Sequence, residues 1–266
     1  MKINIEDYIV GEKFRTLADN IKIFYRDTHD VNEFFKNCDK NNQFILISHN
    51  SDGCVTINPR NRNMTLPEHH ANLNLMPDNC IKWFAQNVED SNERVESIPI
   101  GLENSMWFVD INKKEKIFNI TNNQKNFRNL VYLNLNTYNG ILKERVDIYN
   151  MCDGLNYITK ENGRNGIGFD HYLDNLYNHK FMICPEGNGI DVHQPWECIY
   201  SNTIPIQKKN KNNENWRDLP VCWVDDWDQI CDENFLNIEY ERITYSKINK
   251  SKSTFKYWEE KIIKYK

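Results

Sequence analysis

The chain has 266 residues, a net charge of −5 from 33 Lys+Arg against 38 Asp+Glu, and hydrophobic and aromatic fractions of 39% and 12%. That length suits one large domain or two small ones, and the apolar content is enough for packed cores, which excludes disorder throughout. The acidic balance argues against nucleic acid as a partner, and no apolar run reaches the roughly 20 residues of a transmembrane segment.

The polarity, a mean hydropathy of −0.75, traces to about 40 scattered asparagines. Their excess, alongside Lys, Ile and Tyr, reads as the base composition of an AT-rich microbe or large DNA virus and carries no chemistry. The first ten residues lack the apolar core and cleavage site of a signal peptide, so the expected location is cytoplasmic, of such a microbe or of a virus-infected host cell. The eight cysteines form no Cys-x-x-Cys pair and suit no zinc spacing, so they are expected as reduced thiols.

Short apolar runs alternate with helical patterns, the arrangement of an α/β protein with parallel sheets. Strands are predicted at 21–25 and 44–48. The stretch 111–129, charged and poor in apolar residues after Phe118, reads as a linker. Beyond it strands are predicted at 130–134, 181–184, 204–207 and 221–224. Leu142, Val146 and Tyr149 form one helical stripe, and Tyr172, Leu173, Leu176 and Tyr177 form another. A helix is predicted from about Gln194, and Phe255, Trp258, Ile262 and Tyr265 mark an amphipathic terminal helix that must dock on something. The division expected is 1–120, 121–250 and 251–266. Ligands of such folds bind at the carboxyl ends of the parallel strands.

The richest segment is 180–207. A buried strand ends in Pro-Glu-Gly-Asn-Gly and a helix follows, so Gly187, Asn188 and Gly189 allow the backbone to approach a phosphate at the positive helix end. The spacing is not that of the dinucleotide fingerprint. Glu197 is placed to accept from ribose hydroxyls, while Asp191 and His193 are candidates for a helix cap and a phosphate or sugar contact.

The pattern of strand, Gly-Asn-Gly-Ile-Asp (187–191), His193, Trp196-Glu197 and Ile-Pro-Ile (204–206) resembles the donor-binding half of GT-B glycosyltransferases, in particular the exostosin-type group with its viral and bacterial relatives. The stretches 48–52 (SHNSD), 83–87 (WFAQN), 98–104 (IPIGLEN), 132–137 (YLNLNT) with Arg145, and 218–228 (DLPVCWVDDWD) are similar to further motifs of that group, in order. The resemblance implies two Rossmann-like domains with a cleft between them and a C-terminal crossing helix. It also implies transfer of a sugar from a nucleotide-sugar, commonly a UDP-sugar, to a glycan or glycoconjugate, with inversion and without a metal or other cofactor. Donor contacts then fall to Asn136, Thr137, Arg145, the 187–189 loop, Asp191, His193, Gln194 and Glu197. One departure is Gln194, where the relatives usually carry Arg, a diphosphate partner. It supports the alternative of a non-catalytic sugar-nucleotide or glycan-binding module on the same fold.

Transfer requires a base for the acceptor hydroxyl. Asp52, at the carboxyl end of the 44–48 strand, is the first candidate and His49 the second. Glu103 and Trp83 are candidate sugar contacts, with Phe84 and Trp107 as further aromatics. Asp226 and Asp228 imitate a metal-binding Asp-x-Asp pair, but their position favours a cap or turn. His69 and His70 lack a third spaced ligand, and the Lys- and Asn-rich run 208–215 reads as a solvated loop.

Overall fold

The computed structural model describes residues 3–58, 65–107, 112–138, 142–163 and 168–266. In chain order the first half carries α1 (Gly11–Arg15), β1 (Ile23–Asp27), α2 (Val31–Asn37), β2 (Phe44–His49), β3 (Val55–Thr56), β4 (Ala71–Asn72), β5 (Cys80–Ala85) and β6 (Val95–Ser97). The order β1-β2-β5-β6 makes a parallel sheet, and β3 pairs with β4 apart from it.

The second half carries α3 (Lys113–Ile120), β7 (Asn129–Leu135), α4 (Leu142–Met151), β8 (Ile158–Asn162), α5 (Phe169–Tyr177), β9 (His179–Ile183), α6 (His193–Tyr200), β10 (Ile204–Lys208), β11 (Cys222–Val224), α7 (Glu233–Tyr245) and α8 (Phe255–Ile263). Its strands form a second parallel sheet in the order β11-β10-β9-β7-β8. The chain leaves β7 to one side for β8 and then crosses to the other side for β9. The loops after β7 and β9 therefore part, and a crevice opens at their carboxyl ends.

Most of the strands foreseen carry nearly continuous apolar runs, because parallel strands covered on both faces have little polar surface; the exception is β1, an edge strand foreseen at 21–25 across Lys22 and only partly buried. All six residues of β2 are buried. The strands missed lack that signal. In β5, Lys82 interrupts the run, yet it is buried against Glu96 of β6 at 3.4 Å. An edge strand of mixed polarity, β8 shows no apolar run at all.

Two expectations are corrected. The stretch read as a linker holds α3, whose Ile117 is fully buried among residues of both halves; Ile111 lies outside the described residues. On α4 it is Arg145 and Ile148 that face inward, while Val146 is exposed. Tyr149 packs at the edge of the core and the side chain of Leu142 lies outside the description.

The central core draws Ile45, Ile47 and Phe84 from the first sheet, Tyr132 and Met182 from the second, and Trp196 from α6. The terminal helix docks back on the first half. Trp258 and Ile262 enter the central core, Phe255 meets Phe14 edge-on at 5.3 Å, and Tyr265 meets Phe84 at 5.6 Å. Among the described residues no helix is long and apolar enough to cross a membrane. All eight cysteines are free thiols.

Candidate functional site

The stretches 48–52, 83–87 and 98–104 lie at the carboxyl ends of β2, β5 and β6, and there they meet the 185–193 loop that follows β9. The Ile100 N–H donates to Asp191 Oδ2 at 2.7 Å, and the Asp191 N–H donates to Asn87 Oδ1 at 2.8 Å. His193 Nδ1 lies 2.8 Å from the Gly101 carbonyl, so that nitrogen carries the proton. Glycine is needed at this seam. A Cβ on Gly189 would stand 2.6 Å from Asn87 Nδ2, and one on Gly101, at φ +69°, would overlap the Ile9 carbonyl.

Two cavities adjoin the seam. One, of about 270 Å³, lies in the crevice between β7 and β9 and is walled by Asn134, Asn136, Arg145 and the 187–189 loop. The other, of about 540 Å³, lies over the ends of β1, β2 and β5, where Asp27, Asn50, Glu103 and Trp107 line it. Asp52, Ile100 and His193 line both, so the cavities meet along these residues.

Two positively polarised groups border the crevice, beside the carboxyl groups of Asp52 and Asp191. Val192, His193 and Gln194 at the amino end of α6 line the cavity and the side chain of Val192 does not cap that end, so the positive end of the helix faces the cavity. Arg145 reaches in from α4. Its Nε donates to the Glu186 carbonyl at 2.7 Å and one terminal nitrogen to the Asn136 carbonyl at 2.8 Å. It thus ties together the two loops that part at the crevice while lining it. Gln194 is buried and donates to the Asn134 carbonyl at 2.9 Å, adding no charge. Thr137 sits in the turn beyond Asn136 and is not part of the wall.

Desolvation by the surrounding walls raises the Asp52 carboxyl above its ordinary range, with a hydrogen bond to Asn188 opposing the shift. Burial raises Asp191 further, to about 7, against hydrogen bonds from Ile100, Trp196 and Val192. His49 is lowered to about 4 by burial.

The structure reassigns several candidates. Glu197 does not reach either cavity. Fully buried on the inner face of α6, it pairs with Lys113 of α3 at 2.8 Å and accepts from Tyr172 Oη at 2.6 Å. His49 has both nitrogens engaged, Nε2 with the Pro99 carbonyl at 3.1 Å and Nδ1 with the Asn50 N–H at 2.8 Å, so it is a strut rather than a base. Trp83 is enclosed in the core of the first half, where its Nε1 donates to Ser48 Oγ at 2.8 Å and its ring meets Phe35. Phe84 is likewise buried, whereas Trp107 is exposed at the mouth of the larger cavity. Asp191 is a bridge across the seam and not a helix cap. The 208–215 run is no solvated loop: Asn212 and Asn213 are buried, and Asn212 accepts the Val88 N–H at 2.8 Å.

Other candidates keep modest roles. Glu103 lines the larger cavity and pairs with Lys113 at 3.2 Å. Asp226 caps the 3-10 turn after β11. His70 Nδ1 accepts the Cys54 N–H and His69 Nδ1 the Leu66 N–H, which separates them as ligands. Among the described residues the side chains that gather as a metal site would be Asp27, His29 and Asp30, and Asp27 is already paired with Arg15.

Sequence reasoning missed Asn87, Asn134 and Asn50. Asn87 was inside a recognised stretch, but its role depends on a left-handed backbone at φ +58° that composition does not announce. Asn50 and Asn134 also lay inside recognised stretches, 48–52 and 132–137, but nothing local distinguishes them from the other asparagines of so Asn-rich a chain. No protein-family model matches the chain, and no curated protein is a significant match to it. Fold and site define a mixed α/β protein whose two parallel sheets meet at a polar, two-chambered seam.

Proposed function

We propose that the protein is a glycosyltransferase of the GT-B type, moving a sugar from a nucleotide-sugar, a UDP-sugar by the family resemblance, to a glycan or glycoconjugate. The observation that carries this reading is the shared wall of the two cavities: Asp52 and His193 stand between a glycine-loop crevice and a larger polar chamber. In this reading the diphosphate lies against the 187–189 loop and the amino end of α6, with Arg145 supplying the permanent positive charge. The acceptor enters from the larger chamber. Its hydroxyl oxygen bonds to the anomeric carbon as the bond from that carbon to the diphosphate oxygen breaks, the configuration inverts, and the hydroxyl proton passes to Asp52. Asp52 is exposed on the shared wall, open to an incoming hydroxyl, and the raised position of its carboxyl makes the carboxylate a stronger base than an ordinary aspartate. The reading needs no metal.

A second reading, a binding module without catalysis, is favoured by Gln194, whose amide is committed to the Asn134 carbonyl and brings no charge. One screen separates the two. Melting temperature and calorimetric affinity are measured with UDP, GDP, CMP, ADP and their sugar conjugates, followed by donor turnover. A micromolar ligand at millimolar concentration stabilises by about 4 kcal/mol, a shift easily read. Selective stabilisation by one nucleotide, lost in Arg145→Met, with donor turnover supports transfer. The same binding without turnover under any acceptor supports a sugar-nucleotide module, and no response to any nucleotide removes the donor site and with it transfer, leaving a glycan-binding module on the same fold.

A further inference from the structure

At the opposite, amino end of the second sheet lies another cavity, of about 380 Å³, beside the carboxyl end of α6. Its wall carries Lys125, Lys180, Lys247 and Lys250. The helix ends in a Schellman turn, with Asn202 at φ +59°, the Thr203 N–H donating to the Cys198 carbonyl at 2.9 Å and the Asn202 N–H to the Ile199 carbonyl at 3.3 Å. Asn202 thereby turns both its carbonyl and its side chain towards the cavity wall. Lys125 Nζ donates to the Asn202 carbonyl at 2.8 Å and to Thr203 Oγ1 at 3.3 Å, and Lys250 Nζ lies 3.5 Å from Asn202 Oδ1. Lys180 stands over the Tyr240 ring at 4.4 Å.

Two ammonium groups thus converge on one neutral residue. Among the described residues no carboxylate pairs with any of the four lysines, in a chain whose net charge is −5. The carbonyl end of α6 offsets about half of one charge. The remainder is uncompensated, and burial has already lowered the Lys125 ammonium to about 8. Beside Asn202, Thr203, Thr244 and Ser246 the wall carries an apolar part, with Phe127, Ile204, Ile243 and Ile248 facing the same space.

We propose that this cavity binds a phosphoester anion whose organic part is apolar, the phosphate bridging Lys125 and Lys250 and the organic part lying on Phe127 and Ile243. The same chemistry is offered by a free organophosphate and by an anionic phospholipid headgroup. The site is separate from the glycine-loop crevice and does not depend on glycosyl transfer.

The test uses the full chain with phenyl phosphate in calorimetry, and with phosphatidylcholine vesicles with and without phosphatidic acid in flotation. Lys125→Gln keeps a donor to Asn202, and Lys250→Gln is a second variant should the first fail to fold; circular dichroism and melting temperature check both. Loss of one charge-assisted hydrogen bond is expected to weaken binding about tenfold in each variant. Phenyl phosphate binding that falls in this way supports a free organophosphate, and flotation on phosphatidic acid alone that falls in the same way supports a headgroup. Binding that survives both lysine substitutions but is lost in Arg145→Met belongs to the glycine-loop crevice and overturns the proposal. So does the absence of binding to either probe.

Discussion

The carboxylate of Asp191, on the loop before α6, accepts the backbone N–H of Ile100 at 2.7 Å, so that the second half of the chain holds the first by a buried acid. The same carboxylate receives Trp196 Nε1 at 3.1 and 3.2 Å. This one side chain joins the glycine-loop crevice to the larger chamber through Ile100, which lines both.

The bridge sets a pH dependence. Burial raises Asp191 to about 7 in the folded state, against an unfolded value of about 4. The folded chain therefore holds the proton more tightly, and the contribution is full below about pH 4 and lost as the pH rises to about 7. His49, lowered to about 4, acts in the opposite sense: its contribution is full above about pH 6.5 and lost as the pH falls. The comparison must therefore be between wild type and variant. In Asp191→Asn an amide oxygen in the place of Oδ2 still accepts from both Ile100 and Trp196. Its melting temperature is expected to fall less than that of the wild type between pH 5 and 7.5; equal slopes would show that Asp191 does not titrate there.

Glu197 and Lys113 test the reassignment of the predicted ribose contact. Removing one partner of a buried ion pair costs about 3–5 kcal/mol, because the other charge stays behind. Because Lys113 keeps Glu103 at 3.2 Å, Glu197→Ala is expected to lower stability in urea unfolding towards the lower end of that range, whereas Lys113→Met combined with Glu197→Leu recovers part of the loss. If Glu197→Ala left stability unchanged and weakened only nucleotide affinity, the original assignment would stand.

Asp52→Asn isolates the proposed base. The expected outcome is a loss of transfer by about 10²- to 10⁴-fold with unchanged nucleotide affinity and melting temperature. The wild-type rate should rise with pH through a midpoint above the usual aspartate range, since the ionised carboxylate is the active form. A flat profile with full activity in Asp52→Asn would move the base elsewhere.

Gly189 tests the seam itself. The Cβ of Gly189→Ala meets Asn87 Nδ2 at 2.6 Å, and the amide it displaces also donates to the Ser51 carbonyl at 3.0 Å. A loss of about 1–3 kcal/mol is expected from overpacking. It should be relieved in part by Asn87→Gly, which removes the obstructing amide and accommodates φ +58°. Independent, additive losses in the double variant would place the strain elsewhere.

Reading along the chain found what is encoded locally. Continuous apolar runs such as that of β2 mark doubly covered strands, the 187–189 glycines mark a loop ahead of a helix, and Trp258 with Ile262 marks a helix with one docking face. The stretches around Asp52, Asn87 and Ile100 were also singled out, and they do meet in space. What no local pattern contains is which partner each side chain finds. Glu197 is committed to Lys113, 84 positions earlier in the chain, and His49 to the carbonyl of Pro99. Lys82 becomes a strand residue because Glu96 neutralises it on the adjacent strand. Burial and charge pairing are properties of the assembled core, so a carboxylate destined for an ion pair and one destined for a ligand look alike until the two sheets close on each other.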